Sequence, residues 1–308
     1  MLRYTIKRLL LMIPVIIGIT LTIYVVLELS PRDPVVAALG ESAEYTIEQY
    51  EAMKVQMGLD GPLVIRYLRY MSHAVRGDLG DSWFNNYNVT AEFGHRLPYS
   101  LKIGIYANIV SILLGIPLGI IAAVRYNKEM DLILTFFAML LVSAPGFWVG
   151  MLAQQYVSIY LGLLPVSGAA TFAHYVLPST VLATSETATN MRITRTWLID
   201  VIRSDYVRTA RAKGAGEVRV LVRHALRNAL LPVITTLGAH FAFIIGGVAI
   251  IETVFAIPGI GSFLVNGVRT GDAPVVMGCV IVIALFVGMV NLLVDLLYAV
   301  VDPRVKYS

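Results

Sequence analysis

Residues 204–228 read SDYVRTARAKGAGEVRVLVRHALRN, a basic and water-compatible stretch set between long apolar runs. Its reading decides the architecture, because a folded polar island between apolar runs must stand outside the layer that buries them. Asp205 through Lys213 holds good helix formers, and Gly214 and Gly216 then interrupt them. A glycine just past a helix end supplies the left-handed backbone that a stop needs. Glu217 opens a second helix, where an acid suits the positive N-terminal end. On that second helix Val218, Leu221, Val222, Ala225 and Ala229 recur at steps of three and four. Arg219, Arg223 and Arg227 recur at steps of four on another face. The pattern predicts an apolar stripe packed on protein and a row of guanidinium groups pointing elsewhere. Pro232 marks the start of the next apolar run.

The surroundings place this island in a membrane protein. Of 308 residues, 57% are hydrophobic and only 14% charged, against about a quarter charged in soluble domains. Leu9 to Leu29 is apolar and long enough to cross a ~30 Å hydrocarbon core. It follows Arg3, Lys7 and Arg8, but it exceeds a signal-peptide core and no small-residue cleavage pattern follows, so it reads as an uncleaved first span. Five further candidate spans lie near 102–124, 133–161, 175–194, 230–251 and 275–299. The fourth contains LATSETATN and must face protein or water rather than lipid. Pro14 and Pro117 fall inside spans, where neighbouring helices can satisfy the freed carbonyls.

Orientation follows from Lys and Arg in the short connections. The N-terminal tail, the 125–131 turn (Arg125, Lys128), the stretch 192–228 and the C-terminal tail (Arg304, Lys306) are all basic. The stretch 192–228 alone carries nine Lys and Arg against three acids, while 162–174 carries no Lys or Arg. With six spans the basic segments share one side, expected to be the cytoplasm, together with both termini. Residues 30–101 are then external; within them YTIEQYEAMKVQMGLDGP reads as a short helix ended by glycine and proline. The expected fold is an all-α integral membrane protein of six transmembrane helices, a single transmembrane domain over 1–308. It has a long external segment at about 30–101 and a cytoplasmic loop at about 195–229 between the fourth and fifth helices.

The arginines of the loop could meet anionic lipid headgroups, or dock on a cytoplasmic partner in a helix-in-groove mode. Nucleic acid is set aside, because there is no aromatic interleaving and no recognised nucleic-acid module. Against this background the wording of the loop carries a resemblance. DYVRTARAKG followed by RHALRNALLP resembles the coupling loop, or "EAA" loop, of permease subunits in ATP-binding-cassette importers, in the dipeptide, oligopeptide and nickel branch. The general family pattern is Glu-Ala-Ala, three residues, Gly, nine residues, then Ile-x-Leu-Pro. Aligned on Gly214, this chain has Arg208-Thr209-Ala210 and then His224, Leu226 and Arg227, matching only at Ala210, Gly214 and Leu226. The branch wording matches far better and continues through LSPRDP, GLDGPLVIRYLRY, GDLGDS, LLPVSG, IETVFAIPGIGSFLVNGV and DLLYAVVDPRVKY. Arg32 departs from the branch, which usually has glycine there.

The resemblance implies half of an importer in a prokaryotic cytoplasmic membrane. A second homologous permease completes the pathway, two cytoplasmic ATPase subunits drive it, and an external substrate-binding protein delivers the cargo. It implies that Asp205, Tyr206, Arg208, Thr209, Ala210, Arg211, Lys213, Gly214 and Glu217 form the segment that couples to the ATPase. Cofactors are not expected in this chain. A phosphate-binding loop needs Gly-Lys followed by Ser or Thr, and none of the six lysines is followed by either. ATP and Mg²⁺ are therefore expected on the partner ATPases. There is no G-x-S-x-G, and the five histidines and single cysteine lack the close spacings of metal sites, so no enzymatic or metal site is expected.

Glu186 and Asn190 are four residues apart mid-span and so share a helix face. An intramembrane acid is costly and marks a functional position by default. Either the two line the pathway and contact a cationic group such as a peptide ammonium, or Glu186 is a buried acid paired with the partner subunit. Peptide is the leading cargo. A nickel or metal-chelate importer shares the same signatures, and an ion-driven secondary transporter is the rival of another class. The external segment could contact the binding protein or the second permease.

Overall fold

The computed structural model describes residues 2–31, 33–40, 44–85, 87–226, 233, 236–238, 241 and 248–301; at 2, 3, 218, 223, 224 and 297–301 it describes the backbone alone. The described elements are helical: α1 (Leu2–Glu28), α2 (Pro34–Leu39), α3 (Ile47–Gln56), α4 (Leu63–Ala74), α5 (Val89–Val124), α6 (Glu129–Ser143) and α7 (Gly146–Ala153). A π-helical stretch, Gln154–Tyr160, prolongs α7. They continue as α8 (Ala173–Ile202), α9 (Asp205–Ala212), α10 (Glu217–Arg219, prolonged in π-helical form over Val220–Leu226), α11 (Ala249–Val254), α12 (Ile260–Thr270) and α13 (Ala273–Val301). Among the described residues the only β pairing is an isolated antiparallel bridge, Asp81 to Asn88.

Among the described residues three helices are long and apolar enough to cross a bilayer: Tyr4–Glu28, Val89–Val124 and Ala273–Leu296. A fourth crossing is available if α6 and the α7 segment count as one. The expected straight span 133–161 is in fact two helices bent by 98°. Pro145 is the cause: it has no N–H to donate, and its ring drives Ala144 out of helical backbone to ψ 127°. The expected fourth span falls within α8, which runs for 30 residues and is, as its sequence indicated, too polar to join the apolar set. The fifth expected span lies mostly outside the described residues, as do Arg32, Arg227, Ala229 and the chain from 302.

The chain divides into two compact units. One is built mainly from Met1–Tyr99 and Pro258–Met289. In it α3 has the predicted stop, and its start is capped. Thr46 Oγ1 accepts from the Gln49 N–H at 3.2 Å, and Gln49 Oε1 accepts from the Thr46 N–H at 2.8 Å, a reciprocal capping box. Gly58 and Gly61, at φ +69° and +89°, then turn the chain towards Pro62. The α12–α13 turn is tied to the 80s loop through Asp272. Ser82 Oγ donates to its carboxylate at 2.6 Å and the Trp83 N–H at 3.3 Å.

The other unit is built mainly from Ser100–Ile257 and Val290–Lys306, and α8 is its centre. α5 presses on α8 where the sequence GIPLG places Gly115 and Gly119 on one face. A Cβ at Gly119 would stand 2.6 Å from the Met191 carbonyl and from Thr194 Cβ. At Gly115 it would stand 2.9 Å from Asn190 Cβ. Small residues four apart let two membrane helices approach to backbone contact. α6 is held to α8 by a two-pronged ion pair, Arg195 Nε and Nη2 to the two oxygens of Asp131, the second at 2.8 Å. Asp131 is buried and also accepts from the Asn127 N–H at 2.9 Å.

Two outcomes test this packing. Gly119→Leu forces the helices apart and costs about 1–3 kcal/mol, as overpacking does. Thermal unfolding in detergent should show a lower midpoint, whereas Gly146→Ala, with open space around it, leaves it unchanged. Arg195→Ala strands a buried carboxylate, with an expected cost of about 3–5 kcal/mol. Adding Asp131→Asn to it should recover part of that loss in the same assay.

Candidate functional site

The segment 205–226 folds as a helix, a tight bend and a second helix. α9 ends in a Schellman motif centred on Gly214, whose φ is +79°. The Ala215 N–H reaches back to the Ala210 carbonyl at 3.2 Å, and the Gly214 N–H to the Arg211 carbonyl at 2.9 Å. These are the 6→1 and 5→2 bonds of that motif, and they satisfy carbonyls a helix end would leave open. Ala210 and Ala215, the C3 and C″ residues of the motif, both pack on one apolar cluster. Across the bend, Arg211 Nε and Nη2 donate to the two oxygens of Glu217 at 2.9 and 3.1 Å. That pair is exposed, so it contributes little stability, ~1 kcal/mol or less; it orients the second helix.

Val207 anchors the loop, and the sequence reading missed it. It is fully buried in a cluster with Ala123, Leu198, Val220 and Ala225, bordered by Ile120, Ile199, Val201 and Ile202. The bases of α5 and α8 and both loop helices thus share one apolar core. Around this plug Asp205, Tyr206, Arg208, Thr209, Arg211, Lys213, Gly214 and Glu217 are exposed, and Ala210 is half-buried. The only signal for the anchor was Val207 and Ala210 standing one helical turn apart.

The expected apolar stripe on the second helix needs correction. Val222 is 57% exposed, while Val220, outside that stripe, is buried with Ala225. The chain over Val220–Leu226 is π-helical, with i→i+5 bonding, so residues five apart share the inner face and Val222 turns outward. Leu221 is half-buried as expected. Of the expected arginine row, Arg219 is exposed, Arg227 lies outside the described residues, and the side chains of Arg223 and Val218 are not described.

The structure also sorts the positive charge of 192–228. Arg195 pairs with Asp131, and its guanidinium and that of Arg203 lie 5.4 and 5.0 Å from the Tyr126 ring. Those two cations brace the base of α8, and Arg211 spans the bend. Arg208, Lys213 and Arg219 stand at the surface.

Asn190 is completely buried within the chain, its Nδ2 donating to Ser111 Oγ at 3.2 Å across the α5–α8 contact. Glu186 is only half-buried. Its Oε2 and the Oδ1 of Asn190 are buried atoms without a hydrogen-bond partner among the described residues. Glu252 of α11, fully buried, went unremarked in the sequence reading; Ser100 Oγ donates to its carboxylate. A lone acid inside the apolar run IETVF was the available signal.

Comparison with known proteins accords with these features. Residues 115–307 match the family model for the binding-protein-dependent transport system inner membrane component. Residues 1–104 match the model for the N-terminal part of such membrane components. The chain is 38% identical over 308 residues, covering all of both chains, to the glutathione transport system permease protein GsiC of Escherichia coli (strain K12). The same figures hold for the GsiC protein of Salmonella paratyphi A. Among solved structures, an inward-facing MetNI methionine ABC transporter shares the fold with TM-score 0.58 at 15% identity, covering 68% of this chain and 96% of that one. The protein belongs to the family of inner-membrane permease subunits of binding-protein-dependent ABC importers, in the branch of the peptide permeases.

Proposed function

We propose that this chain is one half of the translocation pathway of a peptide importer, with residues 205–217 as the element that receives motion from the ATPases. The observation that carries the reading is the Val207 plug. It roots an exposed, bent, cationic helix pair in the same apolar core as the bases of α5 and α8. A push on α9 is then transmitted to membrane-embedded helices as rigid-body motion rather than lost in a flexible loop. In this reading the chain has six spans, with both termini and the loop in the cytoplasm. It pairs with a second homologous permease, two ATPases that hold ATP and Mg²⁺, and an external binding protein. Arg208 and Lys213 meet the ATPase surface, and lipid headgroups take the cations beside it.

Small peptides are the proposed cargo, in keeping with the glutathione permeases among the relatives. Glu186 offers a carboxylate oxygen with no partner inside the described chain, suited to an ammonium group passing along α8. Asn190 has a different part: buried against Ser111, it sets the spacing of α5 and α8 behind Glu186.

Arg208→Glu should leave the fold intact, since the residue is exposed, and lower ATP-dependent uptake by about tenfold, the loss of ~1.4 kcal/mol at an interface. Reduced co-purification of the ATPases should accompany it; if both the association and coupled uptake survive, the docking assignment is wrong. Glu186→Gln, in the assembled complex, should slow uptake of a labelled dipeptide severalfold without changing subunit recovery. Uptake equal to that of the unaltered complex would remove Glu186 from the pathway. Running the unaltered complex with dipeptide and with nickel separates the two cargo classes.

A further inference from the structure

Helix α4 is turned inside out for a segment surrounded by water. Part of its polar and aromatic side faces the protein: Arg66 pairs with Glu28 of α1, and Tyr67 is buried against that same helix. Arg69, paired with Asp60, and His73, beside Asp78, are exposed next to it. Its opposite side carries Val64, Ile65 and Leu68, continued by Val75 just past the end, each between 53% and 84% exposed. At 100° per residue these positions fall within an arc of roughly 120°, with Met71 at its edge. Ser72 lies in that arc, and its hydroxyl donates to the Arg69 carbonyl at 2.7 Å, so it presents no unmet donor.

The depth of α4 comes from what it touches. The Tyr67 hydroxyl lies 2.9 Å from Thr20 Oγ1 and donates to the Ile17 carbonyl at 3.2 Å. The Tyr67 ring packs edge-on against Tyr24, with centroids 5.5 Å apart. Tyr24 stands about 6 Å, and Thr20 about 12 Å, inside the Glu28 end of α1 at 1.5 Å per residue. α1 is itself one of the three apolar spans, with almost no burial inside the chain. Leu21 and Val26, in this half of α1, are exposed apolar residues like those of α4. From Tyr67, near the level of Tyr24, Arg66 reaches outward to Glu28, the direction a long cation takes when its backbone is sunk below the interface.

We propose that α4 is a membrane-surface helix. It lies in the leaflet where α1 ends, with the Val64–Ile65–Leu68–Val75 stripe in acyl chains and Arg66–Glu28 at the headgroup boundary. Twelve residues give about 18 Å, too short to span the bilayer, and a sinking of 5–10 Å is what interfacial amphipathic helices show. Lipid is the occupant because the stripe continues the lipid-bathed surface of α1. The inference needs only that α1 crosses the membrane; it does not depend on the cargo or on which leaflet this is.

The test uses the full chain in its assembled complex, reconstituted in phosphatidylglycerol–phosphatidylethanolamine bilayers. Nitroxides are placed on single cysteines at Val64 and Leu68, with Leu10 as a lipid-facing reference and Glu48 as an aqueous one. Cys279 is fully buried, and the unaltered chain labelled in parallel sets the background. Power saturation then compares collision with oxygen, which concentrates in lipid, and with chromium oxalate, which stays in water. The expected result is an oxygen-to-chromium ratio at 64 and 68 severalfold above that at 48 and close to that at 10. A ratio like that at 48 overturns the proposal in favour of water. Low access to both reagents overturns it in favour of a covering protein, and repeating the measurement without the binding protein then identifies whether that subunit is the cover.

Discussion

The contact of α5 with α8 at Gly115 and Gly119 is the constraint on which the functional half of the chain rests. In a bilayer, apolar side chains gain nothing by leaving lipid for protein, so helices associate through close packing and hydrogen bonds. The two glycines bring the backbones to the distance at which a single Cβ would collide with a carbonyl. At that distance Asn190 can reach Ser111, and Asp131 and Arg195 on the neighbouring face lock α6 to the same helix. What lies at the base of α5 and α8 is then a fixed pair of helix ends, and the Val207 cluster is assembled on it.

Charge first draws attention to 204–228, yet charge does the least to build it. Arg195 and Arg203 are occupied around Tyr126, and the Arg211–Glu217 pair is exposed and weak. The loop is shaped by a left-handed glycine and anchored by a valine. That division of labour, with apolar parts rooted in the protein core and cationic parts at the surface, is the basis of the proposed transmitting role.

Polar groups elsewhere in the membrane-embedded part follow the same logic of cost. Glu252 is buried with Ser100 and satisfied, as an acid kept for structure should be. Glu186 keeps an oxygen without a partner in the described chain, the feature on which its proposed place in the pathway rests. On α4 the same reasoning underlies the proposed placement at the membrane surface, since a helix that buries Arg66 and Tyr67 and exposes Val64, Ile65 and Leu68 matches an apolar surrounding.

Several features were legible in the residues themselves. Length and apolarity give α1, α5 and α13; the run from Thr46 to Pro62 gives α3 with its cap and stop; Gly214 gives the bend. Each depends on covalent geometry, local hydrogen bonds or hydropathy, which a short window of sequence contains. The 98° break at Pro145 was equally local, but hydropathy averaged over 133–161 hid a backbone clash behind a continuous apolar count. The identity of the anchor, the inward face of Val220–Leu226 and the separate fates of Glu186 and Asn190 came only with tertiary structure. Val207 is an anchor because α5 and α8 end beside it. Val222 faces outward because π winding changes the residue period from the one assumed. Asn190 is sealed because two glycines seventy-odd positions earlier let another helix close over it. Local chemistry writes the helices and their ends, whereas burial is a property of what arrives from elsewhere in the chain.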